Sequence, residues 1–166
     1  MLAPVATLGI LVEASVAIAG FSGVVVVFGR REAQTWPPID RGRFRVLLST
    51  SFGVLFLSLV TLVLLHAGVG SATTWRIGSM LLALIAIHEV TSHFRRVSHV
   101  PSDEPQRPNT AILVILIGGT LTAFVLNLGN AFVLGEFWAF LAGQVWLFGL
   151  ACYSFAQLLL GQGRVE

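Results

Sequence analysis

Five apolar runs, each set off from the next by a short polar or proline- and glycine-marked segment, organise this chain. They extend from about Val5 to Gly29, Val46 to Val69, Trp75 to His93, Ala111 to Asn127 and Glu136 to Leu160. At about 1.5 Å per residue each is long enough to cross a hydrocarbon core of roughly 30 Å, the fourth only just. The expected fold is therefore all-α, a bundle of five transmembrane helices forming one membrane domain over residues 1–166. The first run does not read as a cleaved leader. No basic residue precedes it, Glu13 lies inside it, and it exceeds the roughly 7–15 apolar residues of a signal sequence.

Composition points the same way. Hydrophobic residues make up 55% of the 166 and charged residues 11%, with a mean hydropathy of +0.86, whereas soluble domains average roughly 25% charged. An ordinary soluble domain is excluded. All ten basic residues are arginine, set against eight acids for a net charge of +2. That excess is small and divided among clusters, so it cannot build the continuous basic face that nucleic acid requires. The lone cysteine, Cys152, lies in the last apolar run and can form neither an intrachain disulfide nor a multi-cysteine metal site.

The arginines instead carry topology. Arg30, Arg31, Arg41, Arg43 and Arg45 fall between the first two runs, and Arg95, Arg96 and Arg107 between the third and fourth. By the positive-inside rule both segments are cytoplasmic, which with five spans places the N-terminus outside and the C-terminus in the cytoplasm. Trp75 and Trp138 are then expected at the outer interface and Trp36 at the inner one. Short loops and an all-arginine basic set suit a bacterial inner membrane and a GC-rich genome. Asp40, after Trp36-Pro37-Pro38, is placed to N-cap a juxtamembrane start of the second helix. Arg41 and Arg45, spaced i, i+4, are expected together with Arg43 to hold anionic headgroups or a partner. The segment Pro101–Pro108 is a linker too small to be a domain.

An ionisable group at the centre of a span costs roughly 2.5–3.5 kcal/mol on insertion scales, so each needs a partner or a purpose. Ala6, Gly9, Glu13, Ala17 and Gly20 share one stripe of the first helix, a face where a second backbone can come close. Glu13 is then either a neutral, hydrogen-bonded acid gluing helices together or a titrating group in an ion path, and the first reading is preferred. His88-Glu89 followed by Ser92 and His93 resembles a metalloprotease motif but fails it. That motif needs two histidines four apart, whereas five separate these, turning the rings about 140° apart. No metal or other cofactor is expected. Glu89, His93 and Arg96 share a stripe and read as an interfacial charge cluster, with a proton or ion relay through His88 and Glu89 as the alternative.

The remaining polar residues read as packing. His66 sits near the outer end of the second helix. Ser51, Ser58 and Thr61 line one side of that helix, and Gly118, Gly119, Thr120 and Thr122 give the fourth a small, polar-flecked middle. They could line a pore but more often let helices approach, as would Gly119 with Ala123. Trp146, Tyr153 and Gln157 form a contact stripe on the fifth helix, and Asn127, Asn130 and Glu136 a capped outer turn. The sequence carries no phosphate-binding loop, nucleophile elbow, Cys/His array or repeat. A non-enzymatic membrane protein follows, an accessory or homo-oligomeric assembly subunit whose partners are lipid and a second copy or another membrane protein. The alternative is an oligomeric proton or ion channel or transporter using Glu13, His88 and Glu89. An intramembrane enzyme is disfavoured because Glu13 and Glu89 fall at different depths.

Overall fold

A computed structural model describes residues 4–28, 38–98 and 110–161, and among these residues there are helices and no strand. In order they are α1 (Pro4–Phe28), α2 (Pro38–His66), α3 (Ser71–Ser98), α4 (Thr110–Gly129) and α5 (Phe137–Gly161). A π-helical turn, Asn130–Leu134, prolongs α4. Four stretches, Pro4–Val24, Ile39–His66, Ala111–Leu134 and Phe137–Leu160, are long and apolar enough to cross a membrane. The fourth run is thus longer than its sequence suggested, because the π turn carries it to Leu134. α3 has 28 residues but carries Arg76, His88 and Glu89 and lies outside that set.

The helix ends have local causes. α2 opens at Pro38, whose missing N–H costs nothing in a first turn. Asp40 is therefore the third helical residue and not the N-cap expected above. There its carboxylate faces the positive end of the helix dipole and accepts a hydrogen bond from Arg43 at 2.9 Å. At the other end Gly68 takes a left-handed φ of 78°. Its N–H bonds Leu65 O at 3.1 Å while the Val69 N–H bonds Leu64 O at 3.0 Å, the paired bonds of a Schellman cap. α3 begins only three residues after Gly68, at Ser71.

Asn130 is the main clasp of the α4–α5 connection. Asn130, fully buried, accepts the Glu136 N–H on Oδ1 at 2.8 Å and donates through Nδ2 to Glu136 O at 3.0 Å and to Ser79 Oγ on α3 at 2.7 Å. Gly135, at φ 69°, returns its N–H to Asn130 O. The Arg76 guanidinium donates to Val133 O at 3.4 Å, a cation at the carbonyl end of the helix. A capped turn is found where the sequence placed one, but the Glu136 carboxylate is exposed and Asn127 points into the protein instead.

The chain divides into two compact units, Val60–Trp146 and the remainder, with α2 and α5 contributing to both. In the remainder, Leu47, Ala151 and Leu158 form a buried cluster with Ile18, Phe44 and Phe155 against it. In Val60–Trp146, Trp75 packs on Phe137 with ring centroids 4.8 Å apart and on Phe140 at 6.0 Å. Trp75 is only 5% exposed: aromatic neighbours within the protein take its ring. Trp138 is exposed, and Trp36 lies outside the described residues, as does most of both arginine-bearing loops.

Polarity is distributed as lipid demands. Phe21, Phe52, Phe56, Leu84, Val114, Val125 and Val145 are all exposed, while Thr50, Ser51, Ser58, Thr61, Ser79, Asn127, Asn130 and Gln144 are fully buried. Water would drive large apolar groups inward; hydrocarbon leaves them outside and favours polar groups within, where Ser51 Oγ and Asn127 Oδ1 still have no partner among the described residues. The α2–α3 cap is the simplest element to test. Gly68→Ala places a Cβ in the left-handed region and is expected to cost about 1–2 kcal/mol, read as a lowered thermal midpoint in detergent. Unchanged stability would show that the turn refolds without its Schellman geometry.

Candidate functional site

α1 presents two unlike faces. Leu8, Ser15 and Ser22 are buried and Leu11 nearly so, all on one side. On the other, Ala6, Glu13, Ala17 and Gly20 are exposed, flanked by exposed Ile10, Val16 and Phe21. Gly9 is half-buried, and a Cβ added at Gly9 or Gly20 would meet nothing within 4 Å. The small-residue stripe therefore lies opposite the packed side of α1. Glu13 sits at the centre of this outward face, near the middle of the apolar stretch Pro4–Val24, and has no hydrogen bond or ion pair with a described residue. At roughly 2.5–3.5 kcal/mol for an ionisable group at this depth, lipid alone is an unfavourable neighbour.

A second polar constellation ties α4 to α5. The Trp146 indole lies directly over Gly119, so that any Cβ there would overlap the ring. Its Nε1–H donates to Thr120 Oγ1 at 3.1 Å, and the threonine hydroxyl donates to Leu116 O at 2.7 Å. Ala123, one turn on, is buried, and Asn127 beyond it is fully so. The Asn127 amide donates to Ala123 O at 3.0 Å and occupies the space a Cβ on Gly143 would need. Its Oδ1 has no partner among the described residues. Gly119 and Ala123 thus lie on the α5-facing side of α4, whereas Gly118 and Thr122 face outward, Thr122 donating to Gly118 O at 2.9 Å.

The other candidates separate. His88 is exposed and contacts Ser92 Oγ through Nε2 at 3.4 Å, whereas Glu89 is buried on the inner side of α3. The two share no face. The His93 and Arg96 side chains lie outside the described residues, so the Glu89, His93, Arg96 stripe is seen only at its first member. His66 is exposed, its Nδ1 2.8 Å from Leu62 O in its own helix. Arg41 and Arg45 are exposed and Arg43 is held by Asp40. Tyr153 and Gln157 are half-buried. The Asn130–Ser79 bond and the burial of Asn127 were not anticipated. The signal was present, since Gly119, Ala123 and Asn127 follow an i, i+4 register that puts all three on one face.

No family model, curated protein or solved structure matches the chain. Its own side chains carry the reading. The α4–α5 contact separates two kinds of damage. Gly119→Ala drives a methyl into the indole and is expected to cost about 1–3 kcal/mol. Trp146→Phe removes the bond to Thr120 and is expected to cost less, about 0.6–2 kcal/mol. Thermal melts of both variants in one detergent would rank them, and equal stability of Gly119→Ala and the parent chain would contradict the close approach.

Proposed function

We propose that this chain is a small non-enzymatic integral membrane protein that assembles through α1, with a second copy of itself as the covering helix. The observation that carries the reading is Glu13, an ionisable side chain exposed at the middle of an apolar span with no partner among the described residues. A facing helix with the same stripe removes that conflict. The stripe is self-complementary, so one two-fold axis satisfies both copies. Gly9, Ala17 and Gly20 let the backbones approach, and the two carboxyl groups meet as hydrogen-bonding partners out of contact with lipid.

In this reading all five helices cross the bilayer, the first entering from outside and the last ending in the cytoplasm. α3 supports the count through its neighbours. α2 ends and α3 starts across a four-residue turn, Ala67 to Gly70, so α3 returns the chain to the side on which the arginines of both loops fall. Beyond Ser71, Thr73 and Arg76 at its start, its outward residues grade from Ile77 and Leu84 to His88, Thr91 and Arg95, apolar in the middle and polar toward the cytoplasmic end. A cell membrane, of bacterial inner-membrane type, is the proposed location.

Association measured by energy transfer between labelled copies in liposomes tests the proposal. Gly20→Leu fills space that is open within one copy, so it should leave the fold intact and weaken association at least about tenfold, given that close backbone approach drives such contacts. Glu13→Gln, which keeps a hydrogen-bonding end, should associate as the parent does, and Glu13→Leu about tenfold more weakly. A parent chain that stays monomeric would overturn the proposal, and proton flux lost in Glu13→Gln alone would move Glu13 from packing to conduction.

A further inference from the structure

α2 also has an outward face that assembly through α1 does not use. Arg41, Arg45, Phe52, Phe56 and Leu59 are all exposed and fall within about 60° of one another at ~100° per residue. The opposite side of the same helix, Phe44, Leu47, Val54 and Leu57, is the packed one: Leu47, Val54 and Leu57 are fully buried, and Phe44 lies with Leu47 against Ala151 and Leu158. The anchoring of Phe44 and Leu47 fixes how the helix is rotated and therefore where the two arginines point. From Arg41 to Leu59 the stripe covers about 27 Å at ~1.5 Å per residue, two cations at one end and aromatic or aliphatic surface along the rest.

Among the described residues no carboxylate neutralises the charges on this face. Asp40, the one carboxylate in the first turn of α2, is bound to Arg43 at 2.9 Å, and both lie toward the packed side. Arg41 and Arg45 make no hydrogen bond or ion pair with a described residue. One turn apart, their Cβ atoms are about 5–6 Å from each other, close enough for two guanidinium forks to engage one phosphate group.

We infer that the outward face of α2 is a binding site for an anionic phospholipid, with Arg41 and Arg45 holding the headgroup phosphate and an acyl chain lying along Phe52, Phe56 and Leu59. The pairing of charge and apolar surface on a single stripe selects a lipid over a free anion, because a free phosphate would use only the first two residues. It also selects an anionic headgroup over a zwitterionic one, whose own cation would be repelled by the pair. The site is independent of the α1 contact, so a monomeric chain would still carry it.

The test uses the full chain reconstituted into vesicles of equal phosphatidylglycerol and phosphatidylcholine, extracted in detergent, washed, and assayed for retained lipid. Phosphatidylglycerol should be retained preferentially, and the preference should fall roughly fivefold in Arg41→Gln or Arg45→Gln and further in the double variant, in keeping with the contribution of each arginine near an anionic surface. Washing with inorganic phosphate should leave the lipid in place. Full retention in the double variant, or displacement by inorganic phosphate alone, would overturn the inference. Should the double variant not fold, the parent chain decides: its preference must weaken as salt is raised, and a salt-insensitive preference would overturn the inference equally.

Discussion

A polar group in hydrocarbon has no water to turn to, and the architecture follows from that constraint. It explains why serine, threonine, asparagine and glutamine fill interior positions while phenylalanine, leucine and valine cover the outside. The helix ends, too, are closed by bonds within the chain. The Schellman bonds at Gly68 and the double clasp of Asn130 on Glu136 each supply partners to backbone groups that a helix terminus would leave bare. The π turn belongs to the same logic, since it adds a turn to α4 and sets Asn130 where it reaches both Ser79 and the start of α5.

Close approach is the second consequence. With apolar surface as comfortable in lipid as in protein, helices are held by shape and by individual hydrogen bonds, and small residues allow both. Gly119 under Trp146 and Gly143 under Asn127 show the device used twice in one contact. α1 displays the same materials, glycines with a polar side chain between them, but on its outward face. What α4 and α5 do for each other inside the chain, α1 is equipped to do with a helix from outside it.

Much of this was legible in the sequence because lipid imposes long, uninterrupted patterns. The apolar runs gave the five helices, and Glu13 and its small neighbours fell on one stripe by counting alone. Ends were less legible. Pro38 started α2 before Asp40 could cap it, and the π turn lengthened α4, because both depend on backbone hydrogen bonds that hydropathy does not encode. Individual side chains were least so. Hydropathy gave no sign of the Phe137 and Phe140 rings on which Trp75 packs, and Asn127 was expected in a turn and is buried beside Gly143. An amphipathic ring or an amide can serve either setting, and only the neighbouring helix decides which. For His88 and Glu89, adjacency in sequence suggested joint action, while a turn of about 100° between neighbours put one outside and one in.

The central claim is that a second copy covers the outward face of α1. Disulfide cross-linking in the native membrane tests it most directly, with single cysteines moved along α1 in a Cys152→Ser background. Cross-linked dimer should form at positions 9, 17 and 20 and fall away at 8, 11, 15 and 22, following the helical period. Uniformly absent cross-linking, or yields without that period, would contradict it.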